Sequence, residues 1–261
     1  MRKNRTILIA VVAVIGFLTS CQKVIQLDLS TTSPQLVIQG DIYDEPGPYA
    51  VKISKTIDFD KPNIYPPVTN ATVTITDNTG KVDNLSQAAD GTYVTSTLQG
   101  VIGRTYTLTV TIDGKTYTAI STMPEAVNID TIYSKKSFFG NDKVIVLDFV
   151  NPPTKENYYQ VVHLVNGKQI PGFSVFDNNS NLVEKVSFSF MTTNITPELV
   201  AGDIIDVWLE RIDKGVFEYF RTANRNGGRS TSPANPVSNI SNGALGYFSA
   251  CSVRKKTFTY K

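Results

Sequence analysis

The stretch Arg104-Thr-Tyr-Thr-Leu-Thr-Val-Thr-Ile112, followed by Asp113-Gly114, decides the fold class. Its apolar residues alternate strictly with threonines, so one face points to a core and the other to water, as in a half-buried β-strand. Asp-Gly between alternating segments is the strongest short signal for a β-hairpin, and Tyr117-Thr118-Ala119 begins the returning strand. The stretch therefore predicts an antiparallel, mainly β fold.

The same alternation extends through the first half of the chain. Leu36-Val37-Ile38 starts a strand, Val73 and Ile75 alternate with threonines, and Asp90-Gly91 precedes another strand at Tyr93. Turn signals at intervals of about ten residues are typical of a small antiparallel sandwich. We predict an N-terminal immunoglobulin-like or sandwich-type domain over residues 35–124.

Residues 125–261 predict a second β-rich domain. Val144 to Val150 is almost continuously apolar, as expected for a strand covered on both faces. Asn166-Gly167 marks a second hairpin, and Trp208, the one tryptophan, is expected to anchor the core. One short helix is expected over about 214–223, because one helical face there carries Val216, Phe217 and Phe220.

The N-terminus has the pattern of a bacterial lipoprotein signal. Arg2, Lys3 and Arg5 precede an apolar run from Ile7 to Phe17, and Leu18-Thr-Ser-Cys21 follows. We predict a signal peptide over residues 1–20, lipidation of Cys21 and a polar tether over 21–34; the alternative is an ordinary secretory leader with an incidental cysteine. Two or more acyl chains would give stable membrane anchoring.

Charge and cysteine content narrow the class of protein. Without Arg2, Lys3 and Arg5 the chain has 22 basic and 23 acidic residues, so it lacks the basic surplus of nucleic-acid-binding proteins. If Cys21 carries lipid, Cys251 is the only other cysteine and no internal disulfide can form. Since Cys251 lies in an alternating strand pattern, we expect a small buried residue and not a reactive thiol.

Candidate catalytic and metal-binding residues are sparse. His163 is the only histidine, so a multi-histidine metal site is impossible. A Ser/His/Asp triad is arithmetically possible, but the Gly-x-Ser-x-Gly motif that accompanies many such triads is absent. We therefore expect His163 to be a structural strand residue, and we predict no enzyme, no cofactor and no metal.

Two further patterns have a functional and a structural interpretation. The segments 77–80 and 177–179 are rich in oxygen ligands but lack the spacing of an EF-hand, so turns are favoured over calcium sites. Arg221, Arg225 and Arg229 recur every four residues and could bind an anion. Because glycines precede Arg229, solvated arginines are favoured over a shared anion-binding face.

Segment 235–248 is the strongest candidate in the sequence for a functional role. It combines turn-forming asparagines and glycines with two anchoring aromatic residues: Asn235, Pro236, Asn239, Gly243, Gly246, Tyr247 and Phe248. We favour the interpretation that it docks the last strand and caps the second sandwich. The alternative is a partner-binding surface.

This segment, Asn235-Pro-Val-Ser-Asn-Ile-Ser-Asn-Gly-Ala-Leu-Gly-Tyr-Phe248, also resembles a known family. Together with Leu36-Val-Ile-Gln-Gly40, Ala71-Thr-Val-Thr-Ile75 and Asp90-Gly-Thr-Tyr93, it is similar to the Bacteroidota lipoproteins of domain of unknown function 4249. Asn242 and Ala244 depart from the glycines that are more usual there. The resemblance spans essentially the whole chain after Cys21.

The resemblance implies an outer-membrane lipoprotein with sandwich-like domains, working as an accessory or binding subunit of a TonB-dependent receptor. No acidic residue directly follows Cys21, which slightly favours the periplasmic face over the cell surface. An alternative is a glycan- or peptide-binding envelope module, whose loop aromatics would be Tyr43, Tyr65, Tyr133 and Phe138/Phe139. A hydrolase is the third and weakest alternative.

Overall fold

The computed structural model describes residues 33–58, 61–138, 143–152, 156–178, 184–191, 198–226 and 235–261, with the backbone alone at 225 and 226. The predicted signal peptide, Cys21 and nearly all of the tether lie outside these ranges. From Pro34 to Lys261 the chain forms one compact unit. Within the described residues, no helix is long and apolar enough to cross a membrane.

The described chain is mainly β, as predicted. Its elements in chain order are β1 (Leu36–Tyr43), β2 (Ala50–Lys55), β3 (Thr72–Asp77), β4 (Val82–Asn84), β5 (Ser86–Ala89), β6 (Thr92–Val94), β7 (Thr105–Ile112), β8 (Lys115–Thr122), β9 (Ile129–Lys136), β10 (Lys143–Val150), β11 (Tyr158–Val165), β12 (Lys168–Gln169), β13 (Ser174–Asp177), β14 (Lys185–Met191), β15 (Ile204–Ile212), α1 (Lys214–Asn226) and β16 (Leu245–Thr259).

The strands form one large and two small sheets. The large sheet has the order β12-β11-β15-β16-β1-β2-β6-β5, with β13 also paired to β11. The small sheets are β4-β3-β7-β8 and β14-β10-β9. Among the described strands every pairing is antiparallel except that between β1 and β16, the first and last strands, which run parallel.

The first core lies between one half of the large sheet and the sheet β4-β3-β7-β8. The alternation predicted for β7 is confirmed, because Tyr106, Leu108, Val110 and Ile112 are buried while the intervening threonines are half-buried on the other face. Opposite them lie side chains of β1, β2 and β16, including Ile38, Ile42, Val51, Ile53, Phe248 and Ala250. This core therefore lies between two packed sheets, as in a β-sandwich.

The second core lies between the other half of the large sheet and the sheet β14-β10-β9. The prediction for β10 is confirmed: Val144, Ile145, Val146 and Leu147 are all buried, although consecutive side chains point to opposite faces. Aromatic rings fill this core, with Phe149 and Tyr159 edge-to-face at 5.0 Å and Phe176 stacked on Phe188 at 4.6 Å.

One strand connects the two cores. β16 pairs with β1 from Leu245 to Cys251 and with β15 from Ser252 to Thr259. Its side chains Phe248 and Ala250 enter the first core, and Phe258 packs against the second. The boundary predicted between residues 124 and 125 lies between β8 and β9, and β16 joins the two sides again.

The helix α1 covers part of the outer face of the large sheet. Asp213 caps its N-terminus, because its side-chain Oδ1 accepts the Val216 N–H at 3.0 Å. The predicted helix and its apolar face are confirmed, since Val216, Phe217 and Phe220 are buried against residues such as Cys251. Gly227 and Gly228, the glycines before Arg229, lie outside the described residues.

The two hairpin predictions are also confirmed, and one core prediction is wrong. Asp113 and Gly114 both have positive φ, as do Asn166 and Gly167, which is the geometry of a tight two-residue hairpin. Trp208, in contrast, does not anchor a core. The period-two geometry of β15 sends its neighbours Val207 and Leu209 inward and leaves Trp208 on the outer face beneath the Lys255 ammonium, 4.4 Å from the ring centre.

Candidate functional site

Strand alternation places a row of polar side chains on the outer face of the large sheet. In β1, Ile38, Gly40 and Ile42 face the first core, so Gln39, Asp41 and Tyr43 must face outward. The parallel register sets Gln39 beside Tyr247, Asp41 beside Ser249 and Tyr43 beside Cys251. This outer face forms the floor of a cleft.

The loop after β1 forms one wall of the cleft and is fixed to β16 by charge. Asp44 accepts the Val253 N–H at 2.8 Å and forms a 2.7 Å ion pair with Arg254. Glu45 is ion-paired with Lys255. Charge-assisted hydrogen bonds are stronger than neutral ones, so the loop is held at two successive positions.

The loop that ends at Gly100 supports the same wall through Tyr49. The Tyr49 hydroxyl donates to the Tyr43 carbonyl at 2.7 Å and accepts the Gly100 N–H at 3.1 Å. The buried Asp83 carboxylate orders the approach to Gly100 by accepting the N–H groups of Thr97 and Leu98 at 2.7 and 2.6 Å. Burial alone would raise the pKa of Asp83, but these hydrogen bonds outweigh it and lower the pKa.

The resulting cleft has a volume of about 370 Å³. Tyrosine and proline side chains alternate in it with carboxyl, amide and ammonium groups: Gln39, Asp41, Tyr43, Glu45, Pro46, Pro48, Tyr49, Ala50, Lys52 and Tyr247. Its size is at the lower end for small-molecule sites, and its mixture of rings and polar groups suits recognition of a compact polar group.

Two carboxyl groups on this outer face, Asp41 in the cleft and Glu210 beside it, lie in an environment that opposes their ionisation. Burial raises the pKa of Asp41 to about 6, although the Tyr247 hydroxyl donates to it at 3.1 Å and Lys52 lies nearby. Glu210 on β15 is only 5% exposed, and its pKa rises to about 8 because of burial and the negative charge of Asp41. Near pH 7 the pair therefore carries about one negative charge.

The neighbouring groups stay neutral. Burial and the charge of Asp41 raise the pKa values of the Tyr43 and Tyr247 hydroxyls. Cys251 is fully buried beneath α1, and burial raises the pKa of its thiol, so its expected role as a small buried residue is confirmed. Sequence inspection missed Asp41 and Glu210. Each is an acidic residue within a mainly apolar strand, which was the available signal.

The segment 235–248 docks β16, as favoured from the sequence. The Asn239 side chain pairs with the Phe248 backbone, donating to its carbonyl at 2.8 Å and accepting its N–H at 3.0 Å. The Ser241 N–H donates to the Thr118 carbonyl at 2.8 Å, and the Asn242 amide donates to the Thr116 carbonyl at 2.6 Å. The segment thereby ties β8 to β16.

The expectation that this segment caps the second sandwich is wrong. Ile240, Ala244 and Phe248 lie in the first core, because β16 enters the large sheet beside β1 and alternation turns Phe248 toward that core. Tyr247 points the other way and lines the cleft. Asn235 is exposed and Pro236 half-buried beside them.

The two glycines of the segment have different roles. Gly246 has φ +102° beside β1, and a Cβ there would lie 1.9 Å from the Ile38 carbonyl oxygen. Gly243 has φ +75°, with no atom within 4 Å of the added Cβ. Close packing of β16 on β1 therefore requires glycine at 246, whereas position 243 requires only a left-handed backbone.

The remaining candidates lie in structural settings. The half-buried His163 stacks on Phe190 at 4.6 Å in the second core, and burial lowers its pKa. The Asp77 carboxylate accepts hydrogen bonds from the N–H groups of Thr79 and Lys81 at 2.9 and 3.0 Å. Segment 77–80 is therefore a closed turn. No cluster of three or more His, Cys, Asp or Glu suited to a metal occurs among the described residues.

The remaining candidates are the arginines, the loop aromatics and segment 177–179. The structure does not bring them together in one site. Arg221 is ion-paired with Glu218, while the Arg225 side chain and Arg229 lie outside the described residues, as do Asn179 and Phe139. Tyr65 is 54% exposed on a separate loop and Phe138 is 93% exposed. Among the described aromatic residues proposed for glycan or peptide binding, Tyr43 lines the cleft, whereas Tyr65, Tyr133 and Phe138 do not.

Comparison with known proteins identifies a family. The family model named domain of unknown function (DUF4249) matches residues 22–257. No curated protein matches the chain. The solved structure of the Yersinia pseudotuberculosis adhesin InvE is similar at 17% identity, over 67% of this chain and 55% of the adhesin chain, with a TM-score of 0.22. This chain thus spans little more than half of that structure, and the TM-score is too low to compare functions.

The buried carboxyl pair predicts a loss of stability as pH rises. Both groups bind protons more tightly in the folded chain, so their stabilising effect is complete below about pH 4. It disappears as pH rises through about 6 for Asp41 and about 8 for Glu210. Between pH 5 and 9 we expect the Tm of the wild type to fall by at least about 3 °C more than that of Glu210→Gln. Glu125→Gln, at an exposed position, is the control; parallel Tm curves for wild type and Glu210→Gln would contradict the assignment.

The docking of β16 predicts unequal costs for two glycine substitutions. Gly246→Ala forces a Cβ onto the Ile38 carbonyl, so we expect a loss of at least about 3 kcal/mol of unfolding free energy, or failure to fold. Gly243→Ala adds only the cost of a left-handed alanine, about 1 kcal/mol. Urea denaturation measures both. Equal destabilisation would mean that the close approach to β1 is not a constraint.

Proposed function

We propose that this chain, which belongs to the DUF4249 family, is a lipid-anchored, non-enzymatic binding subunit of the outer membrane. The observation that carries the proposal is the cleft on the outer face of the large sheet. Its floor is made of paired strands, and its wall is fixed by two ion pairs and the Tyr49 hydrogen bonds. A preformed polar cleft on rigid elements suits binding, because little ordering is needed when a ligand enters.

Two side chains with the chemistry of a nucleophile or base have structural roles instead. The Cys251 thiol is buried under α1 with a raised pKa, and the His163 ring is stacked in the second core. Neither lines the cleft. This distribution favours recognition over hydrolysis at the cleft.

The membrane attachment and the partner are inferred from the sequence and its family resemblance. The leader and Cys21 support a lipid anchor in the outer membrane, and the residues after Cys21 favour its periplasmic face. A TonB-dependent receptor is the proposed partner. The cleft would take a segment of that receptor. The polar tether over residues 21–34 would give the folded chain the reach that this contact needs.

A second candidate is a glycan- or peptide-binding module of the envelope. The lining of the cleft favours it, because Tyr43 and Tyr247 stand beside hydrogen-bonding groups of Gln39 and Asp41. In this version the cleft binds a free ligand and needs no receptor. The two candidates differ in whether a protein partner depends on the cleft.

Affinity capture distinguishes them. Full-length lipidated protein is isolated from mildly solubilised native membranes after brief cross-linking, and partners are identified by mass spectrometry. We expect a stoichiometric outer-membrane receptor with the wild type, and its loss with Gln39→Arg, which places a bulky cation at the exposed edge of the cleft. Gln87→Arg makes the same change at an exposed position of β5 and is expected to retain the receptor.

Capture that survives both substitutions would contradict a role for the cleft in partner binding. Absence of any reproducible receptor in all three samples would contradict the accessory role and leave the module that binds a free ligand.

A further inference from the structure

The acidic groups around the cleft fall into two classes. Asp44 and Glu45 in the wall are each ion-paired with a cation of β16, Arg254 and Lys255. Asp41 on the floor and Glu210 beside the cleft have no ion pair among the described residues. The wall acids thus have structural partners, whereas these two acids lack a cation at ion-pair distance.

Glu210 is the second of the two acids without an ion pair. It is only 5% exposed, and within the described chain no side chain is hydrogen-bonded to its carboxyl group. The antiparallel register sets it beside Val253, on the same outer face as Tyr43 and Cys251. Glu210 itself does not line the cleft, but it lies beside it on the same sheet face, and its charge acts on the lining residues Tyr43 and Tyr247.

Isolated carboxyl groups are costly to bury, and a cation that reaches them removes much of that cost. Lys52 lowers the pKa of Asp41 only in part, and Lys255 is already engaged by Glu45 and by the Trp208 ring. The site therefore has negative charge available for a cation from outside the described chain.

We infer that the cleft receives a lysine or arginine side chain from a partner segment, with its cationic end paired to Asp41, on the sheet face that also carries Glu210. The tyrosine rings and Pro46 and Pro48 offer apolar contacts to the alkyl stem. The volume of about 370 Å³ suits one such side chain and not an extended ligand. This inference rests on the proposed binding function and specifies its ligand chemistry.

A sugar is the competing occupant, and the ring packing disfavours it. Sugar binding commonly uses an exposed ring face, but Tyr49 is only 5% exposed and Tyr43 leans against it at 6.4 Å. Tyr247 contacts Tyr219 and Phe220 at 4.9 and 4.7 Å. The rings are thus partly used within the protein, whereas Asp41 has the hydrogen bond from Tyr247 but no ion pair among the described residues.

Cation binding must be linked to protons. A bound ammonium favours the ionised carboxyls, so the floor releases a proton on binding, and affinity rises with pH until both groups are ionised in the free protein. The ammonium itself stays protonated up to about pH 9. The other charged groups near this pair within the described chain are Lys52 of β2, Glu45 and Asp44 of the wall, and their ion-pair partners Lys255 and Arg254 of β16.

The test uses the full chain and three probes: the tripeptide acetyl-Gly-Lys-Gly-amide, its uncharged norleucine analogue and maltotriose. Titration calorimetry in two buffers of different ionisation enthalpy measures affinity and proton release. We expect the lysine peptide to bind at least 10-fold more tightly than the norleucine peptide. Its affinity should increase from pH 5.5 to 8.5, with proton release near neutral pH.

Two substitutions locate the effect. Asp41→Asn should weaken the lysine peptide at least 10-fold, and Glu210→Gln should flatten the pH dependence; Asp90→Asn, in an exposed turn, should change neither. Equal affinity for the lysine and norleucine peptides, or tighter binding of maltotriose, would overturn the inference. Cleft-dependent receptor capture without lysine-peptide binding would reject only the cationic ligand, whereas peptide binding without any captured receptor would reject only the accessory role.

Discussion

The hydrogen bonding of β16 to two different strands is the constraint on which the rest of the structure depends. Its first half runs parallel to β1 and its second half antiparallel to β15. Without it, the two halves of the large sheet would be separate, and each core would lose part of one wall. Because β1 and β16 are at opposite ends of the chain, neither core is complete until the last strand has docked.

The same pairing creates the cleft. Alternation commits Ile38, Ile42 and Phe248 to the first core, and the residues between them are turned to the outer face. The register then aligns Asp41 and Tyr43 with the outward residues of β16, next to Glu210 on β15. The floor of the cleft thus comes from paired strands of one sheet, and their hydrogen bonding fixes its shape.

The local features of the chain could be predicted from the sequence, because their causes lie within a few residues. The hairpins at Asp113-Gly114 and Asn166-Gly167, the alternation of β7 and the apolar face of α1 are all of this kind. The family was also recognised correctly, from the segment 235–248 and three earlier strands.

The errors and omissions concern relations between distant strands. The location of Trp208 depends on which face of β15 meets a core, and the docking of segment 235–248 depends on β16 entering beside β1. Asp41 and Glu210 are separated by more than 160 residues, so no local pattern could place them together. The register of β1, β16 and β15 brings them to one face.

Native-state hydrogen exchange of the full chain, measured against urea concentration, tests the central claim most directly. If β16 makes the two cores one cooperative unit, the slowest amides of β7 in the first core and of β10 and β11 in the second will exchange with the same free energy and the same urea dependence. Two groups of amides with different free energies, one for each core, would show that the sandwiches unfold independently and would contradict the role assigned to β16.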